Sequence, residues 1–266
     1  MAGKIKALLP REDSLPGAFF TETGDIFLFG MKFFKSIFSW PFEFDEFIKQ
    51  CYMIGNKSLP LVGITGFIMG LVMTLQSRPT LVEFGAESYL PSMVAISIVR
   101  EIGPVITALI VAGKVGSGIG AELGSMKVTE QIEAMEVSGI NPYKYLVVTR
   151  VLACTMVLPL LIMFSDCVSL FGSFLAMNIH SHISLTLFFS HVFSSLDFVD
   201  VIPAIIKSFF FGYVIGVIGC YKGYTSTSGT EGVGKAANGA VVIASLMVFV
   251  LDMLAVQLTQ MITGEA

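Results

Sequence analysis

Residues 59–77 read LPLVGITGFIMGLVMTLQS. The run holds no Asp, Glu, Lys or Arg. At about 1.5 Å of rise per residue it matches the ~30 Å hydrocarbon core of a bilayer. The composition agrees. Hydrophobic residues make up 54% of the 266 and charged ones only 14%, with a mean hydropathy of +0.80. A soluble domain carries about a quarter charged residues. The chain is therefore expected to be an all-α integral membrane protein whose core is made of packed spans.

Four further apolar runs follow the first. They cover residues 91–123, 145–178, 201–221 and 236–261. The third is too long for one upright span and contains Pro159, so a kinked helix or an interfacial extension is expected. Residues 180–200 read as a loop with partly buried helical character. The five spans sit in a membrane domain over residues 58–266, preceded by a tail at 1–24 and an interfacial region at 25–57. In that region Phe44, Phe47, Ile48, Cys51 and Tyr52 recur at helical spacing on one face. Trp40 before Pro41 suits an interfacial anchor next to a bend. A solvent-facing helix packed on the membrane domain would carry the same pattern.

Basic residues set the orientation. Lys32, Lys35, Lys49 and Lys57 precede the first span, Lys127, Lys144 and Arg150 flank the second and third, and Lys222 and Lys235 join the fourth and fifth. No Lys or Arg occurs between Asn178 and Lys207, where Asp197 and Asp200 lie. The N-terminus is thus expected in the cytoplasm, and the opening MAGKIKALLPREDSLPG lacks the apolar core of a secretion signal. The net charge of −4 with scattered Lys and Arg offers no nucleic-acid surface. Cys51, Cys154, Cys167 and Cys220 are isolated and read as small buried hydrophobes.

Gly66 and Gly70, then Gly116, Gly120 and Gly124, and Gly212 and Gly216 recur every four residues. This spacing puts them on one helix face, either for packing within the chain or for a homodimer seam. GSGIGA at 116–121 fits a loose dinucleotide pattern but has no strand before it, and no Walker motif occurs. Nucleotide chemistry would belong to another chain. Arg100, Glu101, Lys114, Asp166, Lys207 and Asp252 fall in or near apolar runs, where a charge costs roughly 2.5–3.5 kcal/mol on insertion scales. They are expected to form structural ion pairs or the polar rim of a cavity, with Asp252 a partner for Arg100. His180, His182 and His191 lack a supporting Cys or carboxylate cluster, so no metal site is expected.

Between the second and third runs lies the charged insert GSMKVTEQIEAMEVSG, residues 124–139. Read as a helix over 127–138, it places Val128, Ile132 and Met135 on one face and Glu130, Glu133 and Glu136 on another. Ser125 is the expected N-cap, Lys127 and Glu130 an i,i+3 pair, and Gly139 with Asn141-Pro142 the stop. Three turns on the cytoplasmic side suit either a docking element for a soluble motor or a solvated surface helix.

At this point the residues carry a resemblance. REIGPVITALIVAGKVGSGIGAELGSMKVTEQIEAMEVSGINPYKYLVVTRVLA, residues 100–153, resembles the signature of the MlaE family of ABC transporter permeases. Residues 55–77 and 221–252 resemble that family's first span and its last loop and span. EAMEVSG is also similar to the EAA-x3-G loop of importer permeases. The chain departs from the family at Thr149, where Pro is common, and at Lys114, where Arg is common.

The resemblance implies a homodimeric lipid permease, commonly for phospholipid, and not an enzyme. It would work with two cytoplasmic ATPase subunits that bind ATP and Mg, and with an MCE-domain protein on the outer face. A bacterial inner membrane or a plastid inner envelope would house it. It further implies that Lys127, Val128, Glu130, Ile132, Glu133, Ala134, Met135, Glu136 and Gly139 belong to a coupling helix that touches the ATPase. Leu71, Leu75, Arg100 and Glu101 would line a lipid cavity. A membrane scaffold that recruits partners without transport is the alternative.

Overall fold

A computed structural model describes residues 15–37, 42–181, 183–227 and 229–263. All regular structure among them is helical, and five helical runs are long and apolar enough to cross a membrane. Trp40, Pro41 and His182 lie outside the described residues.

The N-terminal helix α1 (Leu15–Ile37) packs across the end of the helix bundle where Tyr143 opens the third span and Tyr221 and Tyr224 close the fourth. Phe29 meets the rings of Tyr143 and Tyr221 at 5.0 and 5.6 Å, and Tyr143 donates its hydroxyl to the Phe29 carbonyl at 2.6 Å. Glu22 pairs with Lys222. The opposite face of α1 leaves Phe27, Leu28, Met31 and Phe34 exposed.

Span one is helix α2 (Phe44–Glu83), 40 residues long and thus about 60 Å. The amphipathic stretch around Phe44–Tyr52 is not a separate surface helix. It forms the first turns of α2, because Asp45 and Glu46 favour the helix start and nothing breaks the hydrogen-bond ladder before Pro60.

Span two covers Glu87–Val128 and is not a uniform α-helix. α3 (Leu90–Ser97), α4 (Gly103–Val111) and α5 (Ser117–Val128) are separated by wide π segments at Ile98–Ile102 and Ala112–Gly116. Pro104 accounts for the first. It lacks an N–H and its ring crowds the preceding turn, so the backbone widens there. A third π segment, Tyr143–Val148, follows Pro142 and opens span three, which continues as α7 (Thr149–Ser181) without a break at Pro159. The short helix α6 (Gln131–Val137) lies between spans two and three.

Between spans three and four, α8 (Leu185–Ser195) is capped by Ser184 and buries Phe188 and Val192 against Leu90, Val94, Leu170 and Phe174. Span four is α9 (Phe198–Tyr224), opened by a capping box in which Asp197 and Asp200 each accept from the other end of the first turn. Span five is α10 (Thr230–Thr263).

The glycines at four-residue spacing pack inside the chain. A Cβ on Gly70 would run into the Ser169 backbone, one on Gly66 would meet Ser165 Oγ at 2.8 Å, and one on Gly212 would meet the Cys154 carbonyl at 2.5 Å. Gly120 and Gly124 lie against Ala236, Ala237 and Val233 of span five. Such contact brings backbones close enough for small polar side chains to bridge. Ser169 donates to the Gly66 carbonyl at 2.8 Å, and Thr74 to Ser173 Oγ at 2.7 Å. Of the four cysteines, Cys154 and Cys220 are buried as expected, Cys51 is half-buried and Cys167 is exposed.

Candidate functional site

Two places gather chemistry. The first begins in the π segment Ile98–Ile102, which carries Arg100 and Glu101. Lys207, only 7% exposed in span four, donates to Glu101 Oε2 at 2.7 Å and to Asp252 Oδ1 of span five at 2.9 Å. Arg100 lies 3.6 Å from Asp200 in the first turn of span four. The expected pairing of Arg100 with Asp252 is therefore corrected. Lys207 lies between Asp252 and span two, and the Arg100 side chain reaches the Asp200 level instead. Asp166 of span three packs its Oδ1 against Gly103, buried and without a hydrogen-bond partner. Lys114 stands apart from this cluster and donates to the Lys57 carbonyl of span one.

Two cavities open beside the cluster. A recess of about 180 Å³ is lined by Arg100, Glu101, Asp200, Lys207, Thr259 and Gln260, among others. A larger cavity of about 610 Å³ lies between spans four and five, walled by Ile202, Ile206, Phe210, Leu251, Leu254 and Leu258. Lys207, Pro203, Ala255 and Thr259 border both. A charged chamber thus shares a wall with an apolar one. Leu71 and Leu75 line neither. Gly66, Gly70 and Thr74 take the face of span one that meets span three, so Leu71 and Leu75 are rotated away from it, and Leu75 is exposed.

The second place is the insert. It is not one helix over 127–138. Lys127 and Val128 end α5, the chain reverses at Thr129–Glu130, and α6 covers only Gln131–Val137. Glu130 makes the reversal with φ +57°, in the left-handed region that a non-glycine residue seldom occupies. Ser125 is not an N-cap. It lies inside α5, where its carbonyl accepts from Thr129 N.

The break has two consequences. Ile132 swings into the core, fully buried, with Met135 half-buried beside it. Glu133 returns over the end of α5, so Lys127 pairs with Glu133 rather than with Glu130. That hydrogen bond holds the Glu133 carboxyl below its ordinary pKa. Gly139, at φ +80°, ends the segment, with Ile140 N bonded back to the Met135 carbonyl. Outward stand Glu130, Ala134, Glu136 and Val137, the last 91% exposed.

Sequence reasoning missed Asp200 as a cluster member. Its signal was the Asp197–Asp200 spacing of a capping box, which fixes Asp200 in the first turn of span four, where it lines the recess. Among the described residues no group of three or more His, Cys, Asp or Glu could hold a metal.

Comparison with known proteins follows the same lines. The family model described as Permease MlaE matches residues 47–258. A probable ABC transporter permease protein of Rickettsia typhi is 37% identical over 240 residues, covering 90% of this chain and 93% of that one. One from Synechocystis is 36% identical over 203 residues, covering 76% and 77%. The chloroplastic protein trigalactosyldiacylglycerol 1 of Arabidopsis thaliana is 34% identical over 205 residues, 77% of this chain and 59% of that one. With five apolar spans and a match over most of its length, the chain belongs to the MlaE family of ABC transporter permeases.

Proposed function

We propose that this permease moves lipid, most simply phospholipid, through a cavity enclosed by two copies of the chain and driven by a pair of cytoplasmic ATPase subunits. The observation that carries the lipid reading is the shared wall between the charged recess and the 610 Å³ apolar cavity. A molecule with a polar head and long tails fits both at once, and burial of the tails is favourable at ~25 cal/mol per Å². The chloroplast relative bears the name of a glycerolipid, which agrees.

The ATPase is proposed to meet the outward face of residues 130–139, where Glu130, Glu136 and Val137 stand free of the core. Ile132 and Met135 seat the segment on the permease, so a push on α6 is transmitted to the ends of spans two and three. ATP and Mg belong to the ATPase, and this chain is not itself the enzyme. The Lys and Arg distribution supports an N-terminus on the ATPase side, in a bacterial inner membrane or a plastid inner envelope. An MCE-domain protein would be the partner on the outer face.

The test is purification in mild detergent, with lipid extracts read by mass spectrometry and partner ATPase read by co-purification. Wild type is expected to carry both. Glu130→Lys with Glu136→Lys should release the ATPase and keep the lipid. Retention of the ATPase by that variant refutes the docking face, and a lipid-free wild type refutes the lipid reading.

A further inference from the structure

The charged recess is not a simple phosphate pocket. Two cations, Arg100 and Lys207, stand among three carboxylates, Glu101, Asp200 and Asp252. Lys207 is nearly fully buried, and its ammonium is bracketed by Glu101 and Asp252 at 2.7 and 2.9 Å. It has little left to offer a ligand. The groups that open to the recess are the neighbours Arg100 and Glu101, 38% and 39% exposed at their side chains. One is positive and the other negative.

Resting on the lipid reading above, we propose that this recess selects a zwitterionic phospholipid headgroup, with its phosphate on Arg100 and its ammonium on Glu101. Three features lead there. A headgroup with only a phosphate charge enters a site whose formal balance is already negative, while a zwitterion brings its own cation. Arg100 and Glu101 both line the one recess, so a ligand held there meets a positive and a negative side chain together. A guanidinium is the side chain suited to phosphate, and a carboxylate accepts from an ammonium through charge-assisted hydrogen bonds. The volume of about 180 Å³ is some ten times what a single water needs, so the recess has room for a headgroup. The apolar cavity across the Lys207 wall then takes an acyl chain of the same molecule.

The experiment uses the purified full chain, stripped of endogenous lipid. It is incubated with mixed micelles holding equal phosphatidylethanolamine and phosphatidylglycerol of matched acyl chains. Bound lipid is counted by mass spectrometry. Wild type is expected to retain phosphatidylethanolamine over phosphatidylglycerol by roughly fivefold, the size of one charge-assisted contact at a half-open site. Glu101→Gln should bring that ratio close to one while total lipid persists, and Arg100→Gln should lower both lipids together. The wild-type ratio needs no variant, so a misfolded mutant does not rescue the idea. Retention in proportion to supply, or a preference for phosphatidylglycerol, overturns headgroup selection and leaves lipid carriage standing. Retention of neither lipid overturns the lipid reading itself.

Discussion

Replacing Lys207 with Met tests whether the charged cluster holds spans two, four and five together. Met keeps much of the length and packing of the side chain and removes the ammonium. Two carboxylates then lose their partner. Asp252 is 14% exposed, so its charge is left largely buried, and breaking such a pair from one side costs ~3–5 kcal/mol. Glu101 is 39% exposed, so solvent screens its loss and the cost there is ~1 kcal/mol or less. The expected total is about 3–6 kcal/mol, a large share of the roughly 5–15 kcal/mol that stabilises a typical fold.

Unfolding by titration of a denaturing detergent into mild micelles, followed by circular dichroism, measures it. Adding Asp252→Asn to the variant removes the orphaned charge. The double variant should recover to within about 1–2 kcal/mol of wild type, since a neutral replacement of a buried pair costs little. A Lys207→Met protein within about 1 kcal/mol of wild type would refute the reasoning. So would a double variant that gains nothing over the single one.

Two other outcomes check the packing and the insert. Gly70→Ala drives a methyl into the Ser169 backbone and should cost ~1–3 kcal/mol or more by forcing spans one and three apart, whereas Gly118→Ala, with open space around it, should be neutral or slightly stabilising in the same titration. The Glu133 carboxyl is held below its ordinary pKa by the Lys127 hydrogen bond, so its stabilising contribution is complete above the unfolded-state pKa and fades as pH falls through the lower folded-state one. Hydrogen-exchange protection across residues 129–137, taken relative to the intrinsic rate at each pH, should therefore fall on the acid side in wild type and lose that step in Glu133→Gln; identical profiles for the two would count against the latch.

Much of the fold was legible because hydropathy reads span length directly. The five apolar runs all became spans, and Gly139 ended the insert where glycine was expected to. What was not legible depended on the rotation of one helix against another. Arg100 and Asp252 looked like partners because both are charges in apolar runs. Which of them reaches Lys207 is decided by how spans four and five turn toward span two, and no spacing in a single helix records that. The insert shows a different limit. Val128, Ile132 and Met135 fit one helical stripe, and an unbroken helix satisfies every local preference. The left-handed turn at Glu130 wins because it buries Ile132 completely and brings Glu133 to Lys127. Tertiary burial overrides a local preference that is worth less than one buried side chain.

The irregular turns and the charges have a common origin. Each of the three π segments among the described residues contains an ionisable residue: Arg100 and Glu101 in the first, Lys114 in the second, Lys144 in the third. A regular α-helix separates successive side chains by about 100°, so Arg100 and Glu101 would face different surroundings. A wider turn holds more residues and lessens that angle. Both side chains then reach one recess and one neighbour, span four, through Asp200 and Lys207. Pro104 is what widens the turn, so a residue with no charge and no exposure sets where the charges point. REIGP, residues 100–104, is on this view a single device. The Arg and Glu supply the polarity, the Gly admits Asp166, and the Pro supplies the geometry that turns two neighbours toward the same recess.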